Sequence, residues 1–113
     1  MKAEFEKTML ISSELLSYCH LKGASQFHLD IKIEEGETVF EIKSSPAELT
    51  GEEMEALKKD LGAPRRREIE QDYWGLSGES ESFSELMLVG MMSDQTSVEL
   101  IEGELRITIH REH

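Results

Sequence analysis

Apolar residues recur near the start of the chain as Phe5, Met9, Leu10, Leu15, Leu16 and Cys19. Steps of three to five residues are the period of a helix with one buried stripe, and Gly23 after Lys22 supplies a stop. The period then changes to two. Phe27, Leu29, Ile31 and Ile33 alternate with His28, Asp30, Lys32 and Glu34, which predicts a strand with one apolar and one charged face. Glu35-Gly36 turns the chain into a return strand over residues 38–44, with Phe40 and Ile42 on one side and Val39, Glu41 and Lys43 on the other. Ser44-Ser45-Pro46 ends it, because proline has no N–H to give a ladder.

Thr50 followed by Glu53 is the spacing of a capping box and predicts a short helix over residues 51–61, with Met54, Leu57 and Leu61 on its apolar side. Gly62-Ala63-Pro64 stops it. No clean period follows from Arg65 to Ser82, which contains Arg65-Arg66-Arg67, the acidic Glu68, Glu70 and Asp72, and the adjacent aromatics Tyr73 and Trp74. An irregular stretch of that length in a small domain is either a lid or binding loop, or a surface loop with Trp74 against the core rim. The arginines correspondingly read as an anion site or as ion-pair partners of their acidic neighbours. Ser82 and Glu85 repeat the capping-box spacing and open a helix over residues 83–93 that is apolar almost all round, which predicts burial on more than one side. Gly90 inside that helix costs about 1 kcal/mol relative to alanine, so its presence suggests a close backbone approach. The chain ends in a second hairpin that turns on Glu102-Gly103. Val98 and Leu100 lie on its first strand, and Leu105, Ile107 and Ile109 point inward from its second.

Two hairpins, each with one apolar face and each preceded by a helix able to cover it, imply an α+β fold. The expected form is a two-layer sandwich with about three helices on one face of a mostly antiparallel, at most mixed, four-stranded sheet. A length of 113 residues confines this to a single domain, residues 1–113, with one modest core. Composition narrows the function classes. A formal net charge of −12, from 24 acidic and 12 basic residues, repels phosphate backbones and anionic membrane surfaces, so neither nucleic acid nor membrane is an expected partner. No apolar run reaches signal-peptide or membrane-spanning length, and the expected location is cytoplasmic. The single cysteine, Cys19, falls on the apolar stripe, where it reads as an inert buried thiol. His20, His28, His110 and His113 have no metal-ligand spacing, and Glu34, Glu35 and Glu37 lack the spacing of a calcium loop, so no metal is expected.

The order of elements and some local sequence resemble the GHKL fold of histidine-kinase-like ATPases, with the anti-sigma-factor serine kinases nearest in pattern. SELLSYCHLKG resembles the family's first helix, FHLDIKIEEGETVFEIKSSPAEL its strand pair leading into a first glycine-rich box, and SELMLVGMMSDQTSVELIEGELRITIHR its closing helix and strands. The resemblance implies a histidine-kinase-like ATPase topology and a nucleotide pocket at Glu14, Tyr18, Ser44, Ser45, Pro46, Glu48, Ser84 and Glu85.

The residues at those positions depart from what the family uses. Glu14 matches the helical glutamate, but Tyr18 stands where an asparagine helps to hold magnesium, and the chain contains no asparagine. Ser44 or Ser45 stands for the aspartate that reads adenine, and the glycines after it fall near Pro46 and Glu48. Phe83, Ser84 and Glu85 occupy the second glycine-rich box. Tyrosine is a poor magnesium ligand, glutamates repel phosphates, and loss of glycine removes the backbone conformations of a phosphate cradle. The resemblance therefore implies a non-catalytic module, with no cofactor and no catalytic residue, that acts in regulation or signalling through a protein partner, a homodimer being one form. Arg65, Arg66, Arg67, Tyr73 and Trp74 are the candidate lid or partner contacts. The alternative is a divergent ATP-dependent serine kinase or anti-sigma factor that uses magnesium and holds the phosphates with those arginines.

Overall fold

The computed structural model of the chain describes residues 2–68, 70 and 85–113. Helix α1 spans Lys2–Leu21, strands β1 and β2 span Gln26–Glu34 and Glu37–Ser45, and helix α2 spans Gly51–Leu61. Helix α3 spans Glu85–Met91, and β3 and β4 span Gln95–Ile101 and Glu104–Glu112. The strands form one antiparallel sheet in the order β1-β2-β4-β3, so the two hairpins meet through β2 and β4. Thr38, Phe40, Ile42 and Ser44 of β2 are buried, as are Leu105, Ile107, Ile109 and Arg111 of β4. The alternate residues of both strands are half-buried or exposed. All the described helices therefore cover one face, as the patterning predicts for an α+β sandwich. No helix among the described residues is long and apolar enough to cross a membrane.

Local signals account for the ends of the elements. Gly23 takes a positive φ of 100° just past α1, and the Ala24 N–H reaches back to the Cys19 carbonyl at 3.1 Å, which satisfies a carbonyl that the helix end would orphan. At α2 the expected capping box is present: the Glu53 N–H donates to Thr50 Oγ1 at 3.1 Å and the Thr50 N–H to Glu53 Oε1 at 2.8 Å. The second hairpin turns with positive φ at both Glu102 and Gly103, the geometry that matches the twist of the flanking strands. Of the helix expected over residues 83–93, α3 occupies 85–91. It closes on a tight last turn in which the Ser93 N–H donates to the Gly90 carbonyl and Ser93 Oγ to the Val89 carbonyl. Ser82 and the expected capping box lie outside the described residues.

Ile11 and Leu15 of α1, Leu57 and Leu61 of α2, and Val89 of α3 with Met92 fill the space above Phe40, Ile42, Leu105, Ile107 and Ile109. Gly90 has the close approach that its position suggests. A Cβ there would collide with the carbonyl oxygens of Asp60 and Leu61 at the end of α2, lying 2.9 Å from the latter. Two expectations from patterning change. Phe5 and Met9, counted on the buried stripe of α1, are 54% and 50% exposed, and Phe27 and Ile33 on the apolar side of β1 are 43% and 55% exposed. The reason is position. β1 is an edge strand, and α1, which packs on β2, leaves the outer margin of the sheet uncovered among the described residues. The stretch after Pro64, expected to be irregular, contains helical residues at 67, 68 and 70, a segment too short to impose a period.

Candidate functional site

The positions singled out by the resemblance separate into four places. Glu14 and Tyr18 of α1 and Glu85 of α3 come together, with Ser17, Leu21, Asp60 and Leu86, around a cleft of about 350 Å³ between the three helices. Ser44 is in the core, 2% exposed, its buried hydroxyl facing the thiol of Cys19. Ser45 borders a shallow hollow at the end of the β1-β2 hairpin, with Gln26, Phe27, His28, Lys43 and Glu104. Glu48 borders another, with Ala47, Leu49, Thr50, Glu53 and Leu100, and Pro46 is exposed between them. Phe83, Ser84, Tyr73 and Trp74 lie outside the described residues.

The cleft between the helices has a definite electrostatic character. Its described lining carries three carboxylates, from Glu14, Asp60 and Glu85, and no cation. Burial and the nearby charge of Glu85 raise the Glu14 pKa, so the site disfavours further negative charge. Tyr18 is pushed up to about 12, first by burial and then by the charge of Glu53, which keeps its phenol neutral. Lys22 does not compensate. Its ammonium is held at 2.6 Å by Glu53 and lies 5.6 Å from the centre of the Tyr18 ring. Cys19 is likewise raised by burial, with only partial relief from the Ser44 hydroxyl, and remains an unreactive thiol. No group of acidic, histidine and cysteine side chains suited to a metal ion occurs among the described residues.

The dominant charged structure is elsewhere, around Arg111. This side chain is 1% exposed. Its guanidinium donates to Glu4 Oε1 at 2.8 Å, Glu70 Oε1 at 2.9 Å and the Met92 carbonyl at 2.7 Å. Glu70, 5% exposed, also accepts from Arg65 Nε at 3.0 Å and faces Lys7 at 3.5 Å. Arg65 continues to Asp94 and to the Glu112 carbonyl, and Asp94 accepts the Glu112 N–H at 2.6 Å. Three cations and three carboxylates thus join the start of α1, the segment after Pro64, the entrance of β3 and the end of β4. Arg66 pairs with Glu68 at 3.2 Å on the surface, and its backbone N–H donates to the Met91 carbonyl. Of the two readings of the arginine run, ion pairing accounts for Arg65 and Arg66. Sequence reasoning overlooked Arg111, although the inward parity of Leu105, Ile107 and Ile109 extends to it.

No family model, curated protein or solved structure matches the chain. The chemistry of the cleft and of the Arg111 network therefore rests on these residues alone.

The network makes stability depend on pH in a definite direction. Burial alone would raise the pKa of Glu70, but the Arg111 hydrogen bond and the charges of Arg111 and Arg65 outweigh it and hold the carboxyl below its ordinary 4.5. Glu4 is lowered in the same way by Arg111, and Asp94 by the Glu112 N–H and Arg65, each against a raising effect of burial. A group depressed in the folded state contributes stability that is complete above its unfolded pKa and lost as pH falls through the folded one. Urea midpoints are therefore expected to be level near neutrality and to fall as pH drops below 4.5. In Glu70→Gln that acid-side fall should be smaller; an unchanged fall would dissociate the network from acid sensitivity.

Proposed function

We propose that the chain is a non-catalytic module with the histidine-kinase-like ATPase fold, acting in regulation or signalling through contact with another protein, its nucleotide chemistry lost. The observation that carries this reading is the helical cleft. Of the three resemblance positions that converge there, Glu14 keeps the family's glutamate, but Tyr18 puts a neutral phenol, a poor magnesium ligand, where an asparagine would stand, and Glu85 puts a carboxylate at the second phosphate-binding box. Asp60 adds a third carboxylate. At close range these carboxylates repel a nucleotide's phosphates.

The α+β sandwich with helices on one sheet face is compatible with the proposed family, and the element order motivates it. The alternative, a divergent ATP-dependent serine kinase or anti-sigma factor, would need Arg65 to Arg67 for the phosphates. Arg65 is bound to Glu70, Asp94 and the Glu112 carbonyl, so recruiting it would dismantle the buried network.

Isothermal titration with Mg-ATP and Mg-ADP tests the reading. No binding, or binding only on the order of millimolar, is expected; a dissociation constant on the order of micromolar would overturn it.

A further inference from the structure

We infer that β1 is the contact edge of a symmetric homodimer in which the strands of two copies pair antiparallel across a two-fold axis at Ile31. Among the described residues β1 is a nine-residue edge strand, and an edge leaves half of its backbone N–H and C=O groups without a strand partner. Its charges are self-complementary in one register. With Ile31 on the axis, Asp30 of each copy faces Lys32 of the other, His28 faces Glu34, and Leu29 faces Ile33. Moving the axis to Asp30 sets that aspartate against itself and His28 against Lys32. Moving it to Lys32 sets the lysine against itself and Asp30 against Glu34. A shift that pairs odd with even positions puts apolar residues opposite charged ones. The other edge, β3, has no such pattern: its outward residues are Gln95, Ser97, Glu99 and Ile101, and α2 packs on its inner side, where Thr96 Oγ1 donates to the Leu61 carbonyl.

Apolar surface is concentrated at the same edge. α2 packs on β3 and α1 on β2, so the flank of α1 turned away from the other helices looks toward β1. That flank carries Phe5, Met9 and Leu16, a helical stripe opposite the one that lines the cleft with Glu14, Tyr18 and Leu21. α1 runs along the strand pair, since Glu4 reaches Arg111, whose partner Thr38 lies opposite Ile33, while Cys19 lies beside Ser44, opposite Phe27. Phe5 and Met9 therefore stand above a margin floored by Ile33 and Ile31. In the paired dimer the two helix layers lie on the same side, and the two α1 helices are separated by three strand spacings, about 14 Å. Helices in contact pack at about 8–10 Å, so the remaining gap suits large side chains such as Phe5 and Met9. The charge of −12 on each copy opposes association, but at physiological ionic strength it is screened beyond about 8 Å, while the strand pairs are in contact.

This inference stands on the β1 edge and not on the cleft, so its outcome and that of the nucleotide titration are independent. Sedimentation equilibrium of the full chain, with Asp30→Lys, Lys32→Asp and the double exchange D30K/K32D, tests it. Wild type should self-associate, each single change should weaken association about tenfold or more by creating two like-charge pairs, and the double exchange should restore it. Both positions are exposed, and circular dichroism checks that the variants remain folded. A monomeric wild type at up to about 1 mM, association indifferent to the single changes, or a double exchange that fails to restore it would each overturn the inference.

Discussion

Replacing Arg111 with alanine is expected to lower the unfolding free energy by about 3–5 kcal/mol, the cost of breaking a buried ion pair by removing one partner. The guanidinium satisfies three acceptors that come from different parts of the chain: Glu4 on α1, Glu70 after α2, and the carbonyl of Met92 after α3. Alanine would leave Glu70 to Arg65 and Lys7, and would deprive Glu4 of its hydrogen-bond partner and the Met92 carbonyl of its donor. It would also empty the space of a large side chain that is only 1% exposed. Urea unfolding should show a lower midpoint with an unchanged slope. A loss below about 1 kcal/mol would mean that the network contributes no more than surface ion pairs do.

Gly90→Ala should cost about 1–3 kcal/mol, the range of overpacking in a core. The sign is informative, because the same change at an unobstructed helical position would gain about 1 kcal/mol from helix propensity. Here the added methyl group would meet the backbone carbonyls of Asp60 and Leu61, which belong to the last turn of α2 and are not free side-chain ends. α2 would have to move from α3, and with it the Leu57 and Leu61 contacts to the core. Thermal unfolding of the variant should show a clear fall in midpoint. A rise would mean that the two helices slide apart at little cost.

Gly90 is also the clearest case in which local sequence carried tertiary information. A poor helix former inside an apolar helix is unfavourable locally, so a close approach was legible before its partner was. The partner, the end of α2, was not, because nothing in a helix's own period says which carbonyls will pass over it. Arg111 is the converse. Strand parity places it inward, but a charge at an inward position reads as the end of a strand unless its counter-charges are known, and these lie as far away in sequence as Glu4. The candidate cleft was legible at Glu14, Tyr18 and Glu85. Asp60 joined it only through the packing of α2, while Ser44 and Ser45, adjacent in sequence, went to the core and to the surface because strand neighbours point to opposite faces.

The apolar pattern, with the cap and turn residues beside it, by itself determined the α+β class, the two hairpins and their turns, the capping box of α2, and the inward sides of β2 and β4, because those depend on period and on residues near in sequence. Which strands lie at the edge, and so how much of β1 and α1 stays uncovered, was decided only by tertiary structure. Phe27 and Phe40 carry the same signal in a strand pattern, yet one is 43% exposed and the other fully buried. The difference is a neighbour. β2 has a strand on each side and a helix above it, whereas β1 has no second strand among the described residues, and sheet order is set by long-range pairing that no local period encodes.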